Sequence, residues 1–241
     1  MFLLVGERIF LVREGEKINT QYGIIDVRKA KPGKTIKSSL GKTFLVMEPS
    51  LPDMLKKCKR GPQIIMPKDA CQIVAVTGVC PGWRCLDAGG GSGFLSLFLA
   101  NIVKPTGAVT AYEREKCFAD IIKHNIKLCD MGNIIKLKNK DILKGFSEKN
   151  LNLITLDMKD AEKIIPKAFK SLKTGGWLCV YSPHIEQQKR AVASMGQFSE
   201  IKTIETIQRE WQVDNSGEGY THPKPSGILH TGFMTFGRKV R

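Results

Sequence analysis

The residues best suited to chemistry form a glycine-rich run flanked by acids. Asp87-Ala88-Gly89-Gly90-Gly91-Ser92-Gly93 follows the apolar pair Cys85-Leu86 and opens the apolar stretch Phe94-Leu95-Ser96-Leu97. Gly89, Gly91 and Gly93 therefore alternate as D-x-G-x-G-x-G at a strand-to-helix junction. Such a loop brings backbone close to a ligand and leaves helix-start N–H groups free for an anionic group. The dinucleotide fingerprint G-x-G-x-x-G would need a third glycine at position 94, which is Phe94. Pyrophosphate binding is disfavoured, and the methionine end of S-adenosylmethionine fits better.

More acids follow at strand ends. Val109-Thr110-Ala111-Tyr112-Glu113 reads as a short strand ending in Glu113, twenty residues beyond Gly93. A carboxylate at the tip of the neighbouring strand can accept from both ribose hydroxyls of a nucleoside. Asn139-Lys140-Asp141-Ile142 offers a third polar tip, suited to an adenine amino group, although Asp141 reads equally well as a helix N-cap. The strand Leu151 to Asp157 ends in Asp157, the candidate catalytic residue; the competing reading is an ordinary strand-end acid. Ring N1 of adenine carries its own lone pair, so methyl transfer to it needs no prior deprotonation. A carboxylate accepting from the exocyclic N6–H would orient the base and stabilise the charge growing on the ring. The [DN]-P-P-[YF] sequence common in methylation of exocyclic amines is missing here: the strand end reads Asp157-Met158-Lys159-Asp160. No Pro-Cys pair stands there either, which argues against the covalent route at pyrimidine carbon 5.

Lys and Arg number 38 against 23 Asp and Glu, a net charge of +15 that points to a polyanionic partner. Residues 1–60 hold 13 of the basic and 6 of the acidic residues, a net +7. A lysine-rich compositional bias would account for much of the same total. The seven cysteines contain no C-x-x-C pair, so neither a disulfide framework nor a metal site is expected. No apolar run reaches the roughly 20 residues of a membrane span, and Glu7 and Arg8 interrupt the first apolar stretch, so a cytoplasmic protein is expected.

These residues need a scaffold. Apolar runs at 9–12, 23–27 and 44–47, separated by Gly- and Lys-rich connections, predict a small basic β domain over 1–55. Pro49, Pro52 and the run Lys56-Lys57-Cys58-Lys59-Arg60 predict a linker near 49–62. Over 56–241 helices and strands alternate: helix 67–79, strand 83–88, helix 93–103, strand 108–113, helix 115–129, strands 134–138 and 151–157, helix 160–172, a Gly175-Gly176 turn, strand 177–182 and helix 185–196. Long strands near 201–213 and 228–237 follow with no helix between them. The fold class is α/β: a doubly wound, mostly parallel sheet with an antiparallel edge hairpin, plus the N-terminal β domain.

The sequence resembles the tRNA (adenine-N1) methyltransferase family that modifies the T-loop, within the class I, Rossmann-like S-adenosylmethionine-dependent methyltransferases. The likeness rests on Arg60-Gly61-Pro62-Gln63-Ile64-Ile65-Met66-Pro67-Lys68-Asp69-Ala70, on the Asp87 to Gly93 loop, on Ser182-Pro183-His184-Ile185-Glu186-Gln187 and on His230-Thr231-Gly232-Phe233, and so spans nearly the whole chain. The resemblance implies a homotetramer that methylates adenine 58, with archaeal members also acting on adenine 57. It puts cofactor contacts at Ser92, Gly93, Phe94, Leu95, Glu113, Asp141 and Ile142, and the catalytic aspartate at Asp157, which also borders the cofactor. Gln63, Met66, Lys68, Ser182 and His230 are the implied substrate contacts, with His184 a further candidate. Met66 departs from the family, which often has an aromatic residue there; a methionine also packs against a ring. Lys56, Lys57, Lys59 and Arg60, with the basic N-terminal domain, are the candidates for holding the RNA backbone, and the target base must be extruded to reach the site. Two other readings stand beside this one: a small-molecule methyltransferase of the corrinoid-precursor type, and a non-catalytic RNA-binding subunit.

Overall fold

The computed structural model describes every residue except Pro62, Ser216, Glu218 and 226–228. The chain divides into two compact units, Met1–Cys58 and Lys59–Arg241.

The first unit contains β1 (Phe2–Val5), β2 (Ile9–Val12), β3 (Lys17–Thr20), β4 (Gly23–Asp26), β5 (Thr35–Lys37), β6 (Thr43–Met47) and the helix α1 (Leu51–Lys57). An antiparallel sheet runs in the order β2-β1-β6-β5, and β3 and β4 form a separate hairpin. Alternation along β6 turns Phe44 and Val46 inward onto a core with Phe2, Leu4, Val12, Ile25 and Val27. The expected linker is a helix over 51–57. Pro52 sits in its first turn, where no N–H is needed, and Asp53 accepts from the Ser50 N–H at 3.0 Å. The unit therefore ends three residues beyond the expected boundary at 55.

The second unit runs α2 (Pro67–Thr77), β7 (Arg84–Ala88), α3 (Phe94–Val103), β8 (Ala108–Glu113), α4 (Lys116–Leu128), β9 (Ile135–Asn139), β10 (Leu151–Leu156), α5 (Ile165–Ser171), β11 (Leu172–Ser182), α6 (Ile185–Ala193), β12 (Ser199–Glu205), β13 (Trp211–Gln212), β14 (His222–Pro223) and β15 (Phe233–Arg238). Its seven-stranded sheet has the order β12-β15-β11-β10-β7-β8-β9. Neighbours from β11 to β9 are parallel, while β15 is antiparallel to both β11 and β12. This is the expected doubly wound sheet with an antiparallel edge. All six residues of β10 are buried, as befits a central strand covered on both faces. Ile165 and Ala168 of α5 and Ala191 of α6 cover one face, meeting Ile154, Leu156, Leu178 and Val180.

Several boundaries differ from expectation for local reasons. α2 stops at Thr77 because Gly78 takes the left-handed conformation with φ of 71°. Gly175, at φ of 83°, and Gly176 interrupt the register of β11 against β10, where Leu172 faces Leu151 and Trp177 faces Leu153. They lie within β11, where the Gly175 N–H donates to the Lys239 carbonyl and the Lys239 N–H to the Gly176 carbonyl. The expected long strand 201–213 ends at Glu205, and Trp211–Gln212 pair instead with His222–Pro223. The expected start of the last strand at 228 lies outside the described residues; the strand proper begins at Phe233.

Candidate active site

Chain order places β8 and β9 on one side of β7 and β10 on the other, so the carboxyl ends of β7 and β10 flank a topological switch point. Such crevices are where open α/β sheets bind ligands. The glycine loop leaves β7 here and Asp157 follows β10. They are in direct contact: the Asp157 N–H donates to the Ala88 carbonyl at 2.8 Å. Gly89, at φ of 80°, lies so close that a Cβ there would stand 1.9 Å from the Asp157 carbonyl oxygen. Glycine is required by both its conformation and this approach.

A cleft of about 290 Å³ opens at this point, lined by Gly61, Gln63, Gly89, Gly91, Glu113, Asp141, Ile142 and Asp157, with Phe118 and Met158 among the apolar walls. A smaller recess beside it shares Gln63, Gly89, Gly91 and Asp157 and adds Asp87, Ser92, Phe94 and Leu95. The expected cofactor residues other than Gly93 thus line two adjoining spaces. Of the expected substrate residues only Gln63 lines them.

The charges differ in what they do. Asp87 is buried beneath the loop and accepts from Ser96 Oγ and, at 2.8 Å, from Thr155 Oγ1, while burial pushes its carboxyl up. Glu113 accepts from the Gly91 N–H through one oxygen and from the Glu115 N–H through the other, each at 2.8 Å, and so ties the glycine loop to the end of β8. Asp141 caps the short 3-10 turn Ile142–Lys144, accepting from the Leu143 N–H at 2.9 Å, so the N-cap reading of that residue holds. Asp157 differs from all three. Among the described residues no donor reaches its carboxylate, which is partly open to the cleft. Burial, reinforced by the negative charges of Asp87 and Glu113, pushes its carboxyl up to about 7.

The residues fit a ligand with a polar amino-acid end and a nucleoside end. Ser92 Oγ is buried at the smaller recess without a hydrogen-bond partner among the described residues, a costly state that a polar ligand atom relieves. The glycine loop beside it offers backbone rather than side chains, and Glu113, Asp141 and Ile142 line the larger cleft. S-adenosylmethionine matches this division.

Three expected substrate residues have their polar groups engaged elsewhere. Lys68 Nζ donates to Asp69 Oδ1 (2.8 Å), the Thr206 carbonyl (2.5 Å) and Thr231 Oγ1 (2.7 Å). Asp69, fully buried, also accepts from Thr231 Oγ1 at 2.6 Å. Both ring nitrogens of His230 face acceptors, Glu205 Oε1 and the Pro183 carbonyl. The Glu205 carboxylate and then that carbonyl raise the His230 pKa, favouring imidazolium with both nitrogens as donors. Ser182 accepts from the His184 N–H and bonds Gln187 at the start of α6. These contacts draw Lys68, Ser182 and His230 together at the carboxyl end of β11. Met66 is exposed at the start of α2.

One positioning residue escaped the sequence reading. Asn125 of α4 is fully buried; its Nδ2 donates to the Lys59 carbonyl (2.8 Å) and the Ser92 carbonyl (2.9 Å), and its Oδ1 accepts from the Lys59 N–H (2.9 Å). It thereby fastens the segment leading to Gly61 and Gln63 against the glycine loop. An amide on the buried stripe formed with Ala119, Ile122 and Ile126 was the available signal. Replacing Asn125 with Leu leaves those backbone groups without their partner. S-adenosylmethionine affinity, measured by calorimetry, is expected to fall about tenfold or more, with about 2–3 kcal/mol lost in denaturant unfolding. Unchanged affinity would remove this role.

Residues 45–219 match the model of the family described as tRNA methyltransferase complex GCD14 subunit. The chain belongs to this family. It is 32% identical over 262 residues to the tRNA (adenine(57)-N(1)/adenine(58)-N(1))-methyltransferase TrmI of Methanocaldococcus jannaschii, covering 97% of this chain and 92% of that one. It is 31% identical to the tRNA (adenine(58)-N(1))-methyltransferase TrmI of Thermus thermophilus, over 86% of this chain and 81% of the relative. A solved structure of a Thermotoga maritima protein titled SAM-dependent O-methyltransferase aligns over 100% of this chain and 92% of its own, at 31% identity and a TM-score of 0.79. The family relationship makes S-adenosylmethionine the methyl donor, in keeping with the orphaned Ser92 hydroxyl and the glycine cradle.

Proposed function

We propose that this chain transfers a methyl group to N1 of adenine in the T-loop of tRNA, at position 58, with position 57 a second target. The observation that carries this reading is Asp157, a carboxylate that no donor among the described residues reaches, open to the cleft between the carboxyl ends of β7 and β10. S-adenosylmethionine supplies an electrophilic methyl group on a positively charged sulfur. The glycine loop and Ser92 hold its amino-acid end, Glu113 takes the ribose hydroxyls through its remaining lone pairs, and Asp141 and Ile142 border the adenine. Asp157 accepts from N6–H of the target adenine, aims N1 at the methyl carbon and stabilises the positive charge that develops on the ring. The same carboxylate then receives the proton the base gives up. Met66 packs against the extruded base, and Lys68, Ser182 and His230, each held by other residues (Asp69 and Thr231, Gln187, and Glu205), take the substrate side at the carboxyl end of β11.

The reading extends to assembly and location. Four copies form the working enzyme in the cytoplasm, and the basic N-terminal unit, with Lys56, Lys57, Lys59 and Arg60, holds the RNA backbone. The relatives named for tRNA methylation support the substrate class, and the net charge of +15 supports a polyanionic partner.

The test is to incubate the protein with S-adenosylmethionine and an unmodified tRNA transcript, and to identify the methylated nucleoside and its position by mass spectrometry. 1-Methyladenosine in the T-loop is expected. A methylated hydroxyl, or no methylation despite measured cofactor binding, would overturn the assignment. Native mass spectrometry reports the oligomer.

A further inference from the structure

A second concave site lies on the catalytic unit, outside the cleft that holds Asp157. The connection from β9 to β10 and the helix α5 enclose a cleft of about 690 Å³ lined by Phe146, Ser147, Glu148, Lys149, Lys163, Pro166, Lys167, Lys170 and Ser171. The four lysines are exposed, while Ile165, Ala168 and Ser171 of the same helix are buried, so α5 turns an apolar face inward and a cationic one into the cleft.

Three features separate this from an ordinary solvated lysine face. First, the single lining carboxylate is already spent: Glu148 is ion-paired with Lys138 and accepts from Tyr112 Oη at 2.8 Å. Second, among the described residues no carboxylate pairs with Lys149, Lys167 or Lys170; only Lys163 has a partner, Asp160 at 3.1 Å. Third, the Lys167 ammonium sits 5.2 Å from the centre of the Phe146 ring and against Gly145, where a Cβ would come within 2.9 Å of its nitrogen. The glycine leaves room for that ammonium and the aromatic ring supports it. Unpaired ammonium groups gathered in a concavity repel one another and concentrate positive potential, a state relieved by a bound anion.

The same connection joins this cleft to the active site. Asp141 and Ile142 line the cofactor cleft, and Phe146 to Lys149 line the lysine cleft a few residues further along the chain. We infer that the lysine cleft binds the phosphodiester backbone of the RNA substrate at phosphates distant from the reacting adenine. Lysine suits this role as a point charge without base preference. The inference rests on the RNA-methylation reading above, and its test separates the two.

The triple variant K149Q/K167Q/K170Q is compared with wild type and with K104Q/K123Q/K202Q, which removes equal charge at exposed lysines elsewhere. Binding to a fluorescent unmodified tRNA transcript and to inorganic polyphosphate is followed by anisotropy across a salt series. Cofactor affinity, measured by calorimetry, is expected to stay unchanged in the cleft variant and so reports an intact fold. Its tRNA dissociation constant is expected to rise about tenfold or more, and its log–log salt slope to shrink by about 2, with the rate at saturating tRNA retained. Equal losses in both triple variants would overturn the inference in favour of bulk charge. Unchanged tRNA affinity and salt slope in the cleft variant would overturn it outright. Loss confined to polyphosphate would make the cleft a phosphate site unrelated to RNA and overturn it as stated. Wild-type protein that binds tRNA through the lysine cleft yet does not methylate it would sink the proposed reaction while leaving the cleft's role intact.

Discussion

Replacing Asp157 with Asn is expected to lower kcat for tRNA methylation by a factor of roughly 100 to 1,000 while leaving cofactor affinity within a few-fold of wild type. The amide keeps the volume but removes the negative charge proposed to stabilise the growing positive charge on the base. Single-turnover assays with saturating tRNA, beside calorimetry of cofactor binding, separate these effects. A variant with wild-type kcat would end the catalytic assignment. The raised carboxyl, at about 7, gives the same residue two further signatures. The proposed role needs the ionised form, so kcat/KM for the wild-type enzyme should rise as pH increases through about 7. The corresponding limb in kcat should lie lower, because a positive charge beside the carboxylate favours ionisation.

The second signature is in stability. The folded carboxyl titrates near 7 and the unfolded one near 3.8, so the folded protein binds the extra proton between those values. Stability from this group is full below about 4, falls as pH rises, and the whole cost is present above about 7. Asp157→Asn should therefore stabilise the ligand-free protein above pH 7 and not below pH 4. The gain should be about 1–3 kcal/mol, smaller than the full displacement of the carboxyl implies because one side is open to the cleft. Denaturant melts at pH 8 and pH 4 check the sign. A variant less stable than wild type at pH 8 would contradict an electrostatic origin for the effect.

Gly89→Ala is expected to have the largest structural effect of any single substitution in the loop. Its Cβ would fall 1.9 Å from the Asp157 carbonyl oxygen, a backbone atom that cannot swing away, and the residue would keep a φ of 80°. Opening that contact pulls apart the tips of β7 and β10, where the Asp157 N–H is bonded to the Ala88 carbonyl. A loss of roughly 3–4 kcal/mol, or roughly 10 °C in Tm, should accompany a fall of at least about 100-fold in cofactor affinity. Gly78→Ala is the matched control, since Gly78 has a similar φ of 71° and, among the described residues, nothing within 4 Å of its Cβ position. It should cost only about 1 kcal/mol and leave cofactor binding alone. If the two variants behave alike, the approach of loop to Asp157 does not hold the site together.

How far the sequence could be read depended on whether a feature is local. The alternation of strands and helices over the second unit follows from side-chain periodicity and glycine punctuation, and the sheet formed as those patterns require. Exceptions arose where a distant segment intervened. Gly175-Gly176 keeps a turn-like φ of 83° at Gly175 and breaks the register against β10, yet bonds to Lys239 carry β11 through it. The stretch before Trp211 continues the β pattern of Ser199–Glu205, yet Trp211 pairs with Pro223 rather than extending the sheet. The short helix at Leu51–Lys57 was masked by two prolines and a lysine run, although the spacing of Ser50 and Asp53 announced it.

The site shows the same division. The glycine loop, the strand-end acids Glu113, Asp141 and Asp157, and the missing pyrophosphate fingerprint are legible along the chain, because each lies within a single strand–turn–helix unit. Tertiary structure alone decided what each polar group became. β10 returns to the far side of β7, and so Asp157 meets the loop in a low-dielectric crevice beside Asp87 and Glu113, which raises its carboxyl. Asn125 became a clamp because α4 lays it under Lys59 and Ser92. Lys68 was spent on Asp69 and Thr231, 163 residues away in the case of Thr231, whereas Lys149, Lys167 and Lys170 share a cleft with no carboxylate partner among the described residues. Whether a charge is paired, buried or free depends on neighbours contributed by remote parts of the chain, and no local pattern encodes them.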